Sequence, residues 1–284
     1  MTVPVFRFAP SPNGHLHLGH AYSALLNQQM AGETGGRLLL RMEDIDRERC
    51  TPELEATMQE DLRWLGFNWE TPVRRQSEHF EVYRVSLDKL IHMDLVYPAF
   101  LSRNDIKHAV QKATAENRVW PHDPDGAALY PLSDRTLSPS ERAKRMNAGR
   151  AFSWRLNMDR AMEHVSQTLF WNETGNTIQA RPLDWGDVII ARKDMPTSYH
   201  LSVVIDDALQ GITHVVRGKD LFHATSIHRL LQHILGLEPP IYHHHALILD
   251  QDGQKLSKSR KDTALRSLRL EGMTPQQIRE RVGL

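Results

Sequence analysis

The stretch VPVFRFAPSPNGHLHLGHAYSALLNQQMA, residues 3–31, decides the fold. Residues 3–9 predict a β-strand that ends at the proline-rich turn Pro10–Gly14. A helix is predicted from about Gly19 to Ala31, because apolar side chains recur there at helical spacing. A second strand is predicted at Arg37–Met42. Strand, helix and strand in this order form a βαβ unit, which predicts a parallel sheet with a ligand at the carboxyl ends of its strands.

Farther along the chain this pattern is interrupted and then returns. Thr51 and Pro52 predict the start of another helix, since threonine caps helix N-termini and proline suits the first turn. Prolines crowd the region from about Tyr97 to Trp185, which we interpret as an insertion. The pattern returns with apolar runs at 187–191 and 201–207, a strand at Thr213–Val216, a helix over Leu221–Leu235 and a strand at Ala246–Leu249. The predicted fold class is α/β, with a Rossmann-type parallel sheet formed by residues 1–97 and 186–262, an insertion domain at 98–185 and a short helical tail at 263–284.

The composition excludes several classes of protein. The 284 residues carry 35 basic and 35 acidic side chains, whereas a dedicated non-specific nucleic-acid binder is usually basic. No apolar stretch approaches the roughly 20 residues of a membrane span, and the N-terminus lacks the pattern of a signal peptide. The single cysteine, Cys50, excludes an internal disulfide. We therefore expect a cytoplasmic protein with no membrane partner, and we expect a monomer.

Three histidines, His15, His17 and His20, follow the first predicted strand and turn. A metal site is one interpretation, but no cysteine or carboxylate lies close by in sequence to complete the ligand set. A phosphate site is the other, because a helix N-terminus after a parallel strand attracts anions and imidazole N–H groups would add donors. Gly19, which has no Cβ, would let a purine lie against the backbone. Taken alone, the segment is equally compatible with a turn that carries incidental histidines.

A second segment near the C-terminus favours the phosphate site. It runs Lys255-Leu256-Ser257-Lys258-Ser259 and follows a glycine-containing turn. Two ammonium groups and two hydroxyls on a loop suit a leaving pyrophosphate, because they can close over the charge that develops and then release it. In isolation this segment would be an ordinary solvated loop.

Together these segments resemble the signatures of class I aminoacyl-tRNA synthetases. His17-Leu18-Gly19-His20 resembles their HIGH motif, and Lys255-Leu256-Ser257-Lys258-Ser259 resembles their KMSKS motif. Four further segments resemble signatures of the glutamyl/glutaminyl subgroup in order and spacing. They are Arg7–Gly14, Arg41–Arg49, Asp206-Asp207 and Val216–Leu221. The similarity extends from about Val5 to Ser259 and implies the fold of this class.

The resemblance implies the reaction and the residues that perform it. The carboxylate of an amino acid would attack the α-phosphate of ATP and expel pyrophosphate, with Mg²⁺ carried mainly by the nucleotide. The implied catalytic residues are His17, His20, Lys255 and Lys258, and the implied nucleotide-binding residues are Gly19, Ser257 and Lys258.

The amino acid implied by the resemblance is L-glutamate. Arg217 would take the side-chain carboxylate in a bidentate pair, and Glu43 would hold the α-ammonium. The implied substrate-binding residues are Arg7, Ala9, Ser11, Glu43, Tyr199 and Arg217. Asp44, Asp46 and Arg49 are interpreted instead as members of a structural ion network. Glutamine is the rival ligand, but a neutral amide would leave an arginine without its charge partner.

The length of the sequence after the lysine segment distinguishes two kinds of glutamate enzyme. Only 25 residues follow Ser259, fewer than the roughly 40 that a separate domain needs. The sequence therefore resembles the short members of the family, which lack an anticodon-binding domain and transfer glutamate to the queuosine base of tRNA(Asp). The alternatives are a truncated enzyme that charges tRNA 3′ ends and a catalytically silent paralogue that binds tRNA.

Short members of the family often bind zinc in the insertion, through three cysteines and a tyrosine. Phe100, Ser102 and Asp134 stand at the cysteine positions here, so we predict no zinc. Tyr130 is then expected to be a packing residue. The run His243–His245 does not predict a metal site either, because three consecutive residues of a strand cannot all face one ion.

Overall fold

The computed structural model describes residues 3–248 and 264–284. Its strands are β1 (Val5–Phe8), β2 (Arg37–Met42), β3 (Glu70–Arg75), β4 (Val96–Ala99), β5 (Ser153–Leu156), β6 (Phe170–Glu173), β7 (Asn176–Gln179), β8 (Ile189–Arg192), β9 (His214–Gly218) and β10 (Ile241–His245). Its α-helices are α1 (Leu18–Glu33), α2 (Pro52–Trp64), α3 (Phe80–His92), α4 (Arg103–Ala115), α5 (Pro139–Asn147), α6 (Met158–Glu163), α7 (Tyr199–Leu209), α8 (Thr225–Leu235), α9 (Leu265–Leu270) and α10 (Pro275–Val282).

The main sheet has the strand order β3-β2-β1-β9-β10-β6-β7. Its neighbouring strands are parallel, except that β6 and β7 form an antiparallel hairpin at one edge. The chain proceeds from β1 toward β3 on one side and from β9 to β10 on the other. The boundary between β1 and β9 is therefore a topological switch point, the place where open α/β sheets bind ligands. The predicted Rossmann-type parallel sheet is confirmed.

A small antiparallel sheet has the order β4-β5-β8. The apolar run 187–191, which marked the return of the βαβ pattern, thus contributes β8 to the small sheet. Conversely, the β6–β7 hairpin lies within the predicted insertion, residues 98–185, yet it extends the main sheet beside β10. Alternating apolar residues show that a segment is a strand but not which sheet it joins, and this explains both differences.

The short-range sequence signal for the start of α2 was correct. Thr51 caps α2, since its side chain accepts the N–H of Leu54 at 3.3 Å, and Pro52 is the first helical residue. The run 201–207 lies within α7 and is buried throughout, so its pattern carries no helical periodicity. Residues 246–248 of the strand predicted at Ala246–Leu249 are not in a strand, and Leu249 lies outside the described residues. The strand just before them is β10, whose histidines pair with β9 and give no apolar signal.

The C-terminal helices α9 and α10 pack against α2 and α1, respectively. Leu265 and Ile278 are buried in the same core as Phe6 of β1. The N–H of Leu265 also donates to the carbonyl of Leu16 at 2.7 Å, beside the first histidine segment. Arg269 of α9 reaches the buried Asp61 of α2, at 3.4 Å. No helix within the described ranges is long and apolar enough to cross a membrane.

Candidate active site

One cavity gathers the predicted site residues. Its volume is about 500 Å³, and it lies at the carboxyl ends of β1, β2, β9 and β10, around the switch point. It is lined by Arg7, Ala9, Ser11, His17, Gly19, His20, Glu43, Tyr199 and Arg217, among others. The remaining predicted site residues, Lys255, Ser257 and Lys258, lie outside the described residues. Segments that are distant in sequence therefore form one site.

The two histidines of the first motif are arranged as hydrogen-bond donors. His17 is the N-cap of α1, and its Nδ1 accepts the N–H of Gly19 at 3.1 Å. Nδ1 of His20 accepts the N–H of His17 at 3.2 Å. Because each Nδ1 uses its lone pair, each neutral ring carries its proton on Nε2. The ring centroids are 3.8 Å apart, so two N–H donors stand together at a helix N-terminus, where the dipole also favours an anion.

Gly19 leaves room for this arrangement. A Cβ at this position would lie 3.0 Å from Cε1 and 3.1 Å from Nδ1 of His17, closer than side chains normally approach. Any larger residue would therefore displace the His17 ring, and the absence of a side chain also opens the backbone toward the cavity.

Arg217 is the buried cation at the centre of the site. It lies near the end of β9 and is 5% exposed. Within residues 3–248 and 264–284 it forms no salt bridge, because all its acceptors are uncharged. One of them is the hydroxyl of Tyr199, at 3.2 Å. Burial raises the pKa of Tyr199 to about 12, so the hydroxyl keeps a proton that it can donate to a ligand.

A buried ion cluster supports the cavity from behind. Asp207 accepts from Arg7 at 3.1 Å and from Arg41 at 2.7 Å, and Arg41 also donates to Glu43 at 3.2 Å. Burial alone would raise the pKa of Asp207, but the two arginines outweigh it and hold that pKa below its usual value. Burial raises the pKa of Glu43 despite its arginine neighbours. Glu43 thus belongs both to the ion network and to the cavity wall, whereas Asp46 pairs, within the described residues, with its exposed neighbour Arg49 at 3.9 Å.

A second cavity of about 540 Å³ adjoins the first. The two share Ser11, Asn13, Glu43, Arg49 and Tyr199 as lining residues. The far wall of the second cavity comes from the small sheet and its loops, including Arg155 and Arg192. The site therefore opens toward the insertion, with room for a second reactant next to the first.

Three of the insertion positions that were weighed above as zinc ligands, Phe100, Tyr130 and Asp134, form a hydrogen-bonded cluster. Asp134 is buried and accepts the backbone N–H of Phe100 at 2.7 Å, the hydroxyl of Tyr130, and a guanidinium N–H of Arg145 at 3.3 Å. Tyr130 is buried with Tyr97, so it packs as expected, and its hydroxyl also accepts the N–H of Leu101. Among the described residues, no group of three or more histidine, cysteine or acidic side chains is placed to hold a metal ion.

Several residues around Arg217 were missed by the sequence reasoning. They are Glu173, His200 and His228, together with His244, which had appeared only as part of a histidine run. His228 lies on the buried face of α8, and a histidine among apolar helix positions is a usable sequence signal for a buried polar contact. Glu173 gave no signal, because nothing local shows that its hairpin lies beside β10.

Comparisons with known proteins agree with this arrangement. Residues 3–284 match the family model described as tRNA synthetases class I (E and Q), catalytic domain. The chain is 47% identical to a glutamyl-Q tRNA(Asp) synthetase of Rhodobacter capsulatus, over 99% of this chain and 100% of that protein. It is 35% identical to a glutamate–tRNA ligase of a Hydrogenobaculum species, over 96% of this chain and 56% of the ligase.

Solved structures show the same relationship. The glutamate-tRNA synthetase of Elizabethkingia anophelis matches with a TM-score of 0.76 and 26% identity, over 96% of this chain and 54% of that one. The chain thus spans about half the length of the glutamate–tRNA ligases that it matches.

Proposed function

Because the chain belongs to the class I tRNA synthetases of the glutamate and glutamine group, we propose that it activates L-glutamate with ATP and transfers the glutamyl group to the queuosine base of tRNA(Asp). The observation that carries this proposal is the buried guanidinium of Arg217, which lines the cavity without a carboxylate partner in the described part of the chain. The name of the Rhodobacter capsulatus relative supports queuosine as the acceptor.

The charges of the site favour glutamate over glutamine. The buried cluster behind the cavity pairs three arginines with three carboxylates, namely Arg7, Arg41 and Arg74 with Glu43, Asp206 and Asp207. Glutamate has one net negative charge, which would compensate Arg217, whereas neutral glutamine would leave that guanidinium unpaired. In this arrangement the side-chain carboxylate binds Arg217 and the Tyr199 hydroxyl, and the α-ammonium binds Glu43. An ammonium beside Glu43 would counteract the effect of burial on its pKa.

The α-carboxylate of glutamate then attacks the α-phosphorus of ATP. A new O–P bond forms while the bond to the bridging oxygen breaks, and the electron pair leaves with pyrophosphate. The Nε2–H groups of His17 and His20 would donate to the phosphate oxygens. The proposal assigns Lys255, Ser257 and Lys258 to the leaving pyrophosphate, and it leaves Mg²⁺ with the oxygens of the nucleotide.

In the second step a hydroxyl of the queuosine base attacks the carbonyl carbon of the adenylate, and AMP leaves. The second cavity supports this step, because it adjoins Glu43 and Tyr199 and is open to the insertion. A base that enters there would approach the bound adenylate from the side opposite the ATP-binding histidines. The reaction would take place in the cytoplasm, where mature tRNA is found.

The proposal is tested by locating the glutamyl group on the tRNA. Exchange of pyrophosphate into ATP is first measured with L-glutamate or L-glutamine, with and without tRNA. Labelled glutamate is then supplied with tRNA(Asp) from cells that make queuosine and from cells that cannot, and the product is digested with ribonuclease T1. We expect glutamate-specific exchange, and label only in the anticodon fragment of queuosine-containing tRNA.

Two results would contradict the proposal in different ways. Label on the 3′-terminal adenosine would identify an enzyme that charges tRNA ends. Absence of exchange, both with and without tRNA, would identify a catalytically silent paralogue.

A further inference from the structure

The guanidinium of Arg217 lies in a cradle of uncharged acceptors. Its Nε donates to Nε2 of His244 at 3.1 Å, and its two terminal nitrogens each lie 3.3 Å from Nδ1 of His228. Its other acceptors are the hydroxyls of Tyr199 at 3.2 Å and Thr225 at 2.8 Å, and the carbonyl of Leu221 at 3.2 Å. Arginine can only donate hydrogen bonds, so both imidazoles must present lone pairs to it.

The proton of His244 is fixed by Glu173. Nδ1 of His244 lies 2.8 Å from Oε2 of Glu173, and the backbone N–H of His244 donates to Oε1 at 2.7 Å. Nδ1 therefore carries the proton, and Nε2 is free to accept from Arg217. Burial lowers the pKa of His244, and Arg217 and His243 lower it further, while Glu173 acts in the opposite direction. The ring is neutral in a single tautomer.

The proton of His228 is fixed by His200. Nε2 of His228 lies 3.2 Å from Nδ1 of His200, so His228 donates from Nε2 and accepts at Nδ1. Burial lowers the pKa of His228 well below its ordinary value, and the neighbouring charges of Arg217 and Arg7, with the His200 and His244 rings, lower it further. Protonation of His228 would remove the lone pair that Arg217 uses and place a second cation 3.3 Å away.

We propose that His228 and His244 are positioning residues for substrate recognition. As neutral acceptors they fix the position and plane of the cationic Arg217 guanidinium that faces the substrate carboxylate, while His200 and Glu173 fix their tautomers. This inference rests on the proposed function, which takes that carboxylate to be the side chain of glutamate. It follows that protonation or loss of either ring weakens glutamate binding and leaves turnover at saturating glutamate nearly unchanged.

Kinetics of pyrophosphate exchange test the inference for His228. His228→Leu removes the acceptor, and we expect the KM for glutamate to rise by about 10- to 100-fold, the effect of one lost hydrogen bond to a charged group. The kcat and the KM for ATP should stay within about threefold of the wild type. His228→Gln supplies an amide oxygen that accepts at every pH. It should restore most of the glutamate affinity at pH 7.5.

His233→Leu is the matched control. His233 lies on the same helix, but its ring faces the carbonyl of His164, away from Arg217. This variant should keep the wild-type KM for glutamate. An unchanged KM in His228→Leu, or an equal fall of kcat in all three variants, would overturn the positioning role.

A spectroscopic measurement tests the tautomers without relying on activity. Two-bond ¹H–¹⁵N correlations of histidine rings distinguish Nδ1–H, Nε2–H and protonated forms, and the His228→Gln spectrum identifies the His228 signals. We expect His228 as the Nε2–H form and His244 as the Nδ1–H form, both unprotonated from pH 7.5 to 5.5. Glu173→Gln should change the His244 pattern and leave that of His228 unchanged.

The two experiments separate the two hypotheses. If His228 carries its proton on Nδ1, or titrates near its ordinary pKa, the proposed positioning role is wrong, whichever amino acid the enzyme activates. If both tautomers are found but the wild type exchanges no pyrophosphate with glutamate, the arrangement of neutral acceptors around Arg217 is supported and the proposed function fails.

Discussion

Replacing Arg217 by lysine keeps the charge of the cavity but removes the planar guanidinium, whose N–H donors point in fixed directions. The guanidinium donates to His228, His244 and three oxygen atoms, whereas an ammonium has three donors at a single point. A lysine would also be a poorer partner for the substrate carboxylate, because its point-like ammonium lacks the planar geometry that matches a carboxylate. Losing one charge-assisted hydrogen bond costs about 1.5–3 kcal/mol, and an unsatisfied buried acceptor adds about 1 kcal/mol. The sum of about 2.5–4 kcal/mol corresponds to about a 10²- to 10³-fold loss.

The assay for Arg217→Lys is glutamate-dependent pyrophosphate exchange. We expect kcat/KM for glutamate to fall by that factor, with the KM for ATP unchanged, because the proposed nucleotide contacts are made by other residues, His17 and His20. Arg37→Lys is the control, since Arg37 lies at the start of β2 and pairs with Glu70 at the surface. If Arg217→Lys activated glutamate as well as the wild type does, the carboxylate would bind elsewhere and the charge argument would fail.

Three further expectations concern the nucleotide site and stability. Gly19→Ala should raise the KM for ATP by about tenfold, because its Cβ would displace the His17 ring, which lies 3.0 Å away; an unchanged KM would remove that ring from ATP binding. The pKa of His200 is lowered from 6.5 to about 4, so its contribution to stability is present above pH 6.5 and is lost as the pH falls toward 4. Between pH 7.5 and pH 5, the free energy of unfolding measured with urea should therefore fall by about 2 kcal/mol less in His200→Asn than in the wild type. Arg269→Met should lower the free energy of unfolding by about 3 kcal/mol, because it leaves the buried carboxylate of Asp61 without its cation. Adding Asp61→Leu should recover most of that loss, and a double variant no more stable than the single one would contradict the pairing.

The helices and strands that could be predicted are those that short-range sequence patterns specify. Residues 3–31 specify a strand, a turn and a helix through apolar spacing, and each element is found there. Thr51 and Pro52 likewise specify the start of α2 through backbone hydrogen bonding alone. Parallel pairing then brings the carboxyl ends of β1, β2 and β9 together, so residues at those ends line one cavity.

The rest depends on contacts that no local pattern records. β10 is made largely of histidines, so its sequence lacks the apolar run by which a buried strand is recognised. The partners of Arg217 on α7, α8 and β10 come from three separate segments, and only the folded chain shows that they meet. The resemblance supplied the residues that would touch glutamate, but it did not supply Glu173 or His228, which act through Arg217.

The β6–β7 hairpin has a consequence for any attempt to simplify this enzyme. Excising residues 98–185 and splicing the flanking chain would leave β10 as an open sheet edge, whose unpaired backbone groups would invite association with other strands. The same excision would remove the carboxylate that anchors His244. The inserted segment is therefore not a detachable module, and a minimal version of the enzyme has to retain residues 169–180 whatever else it discards.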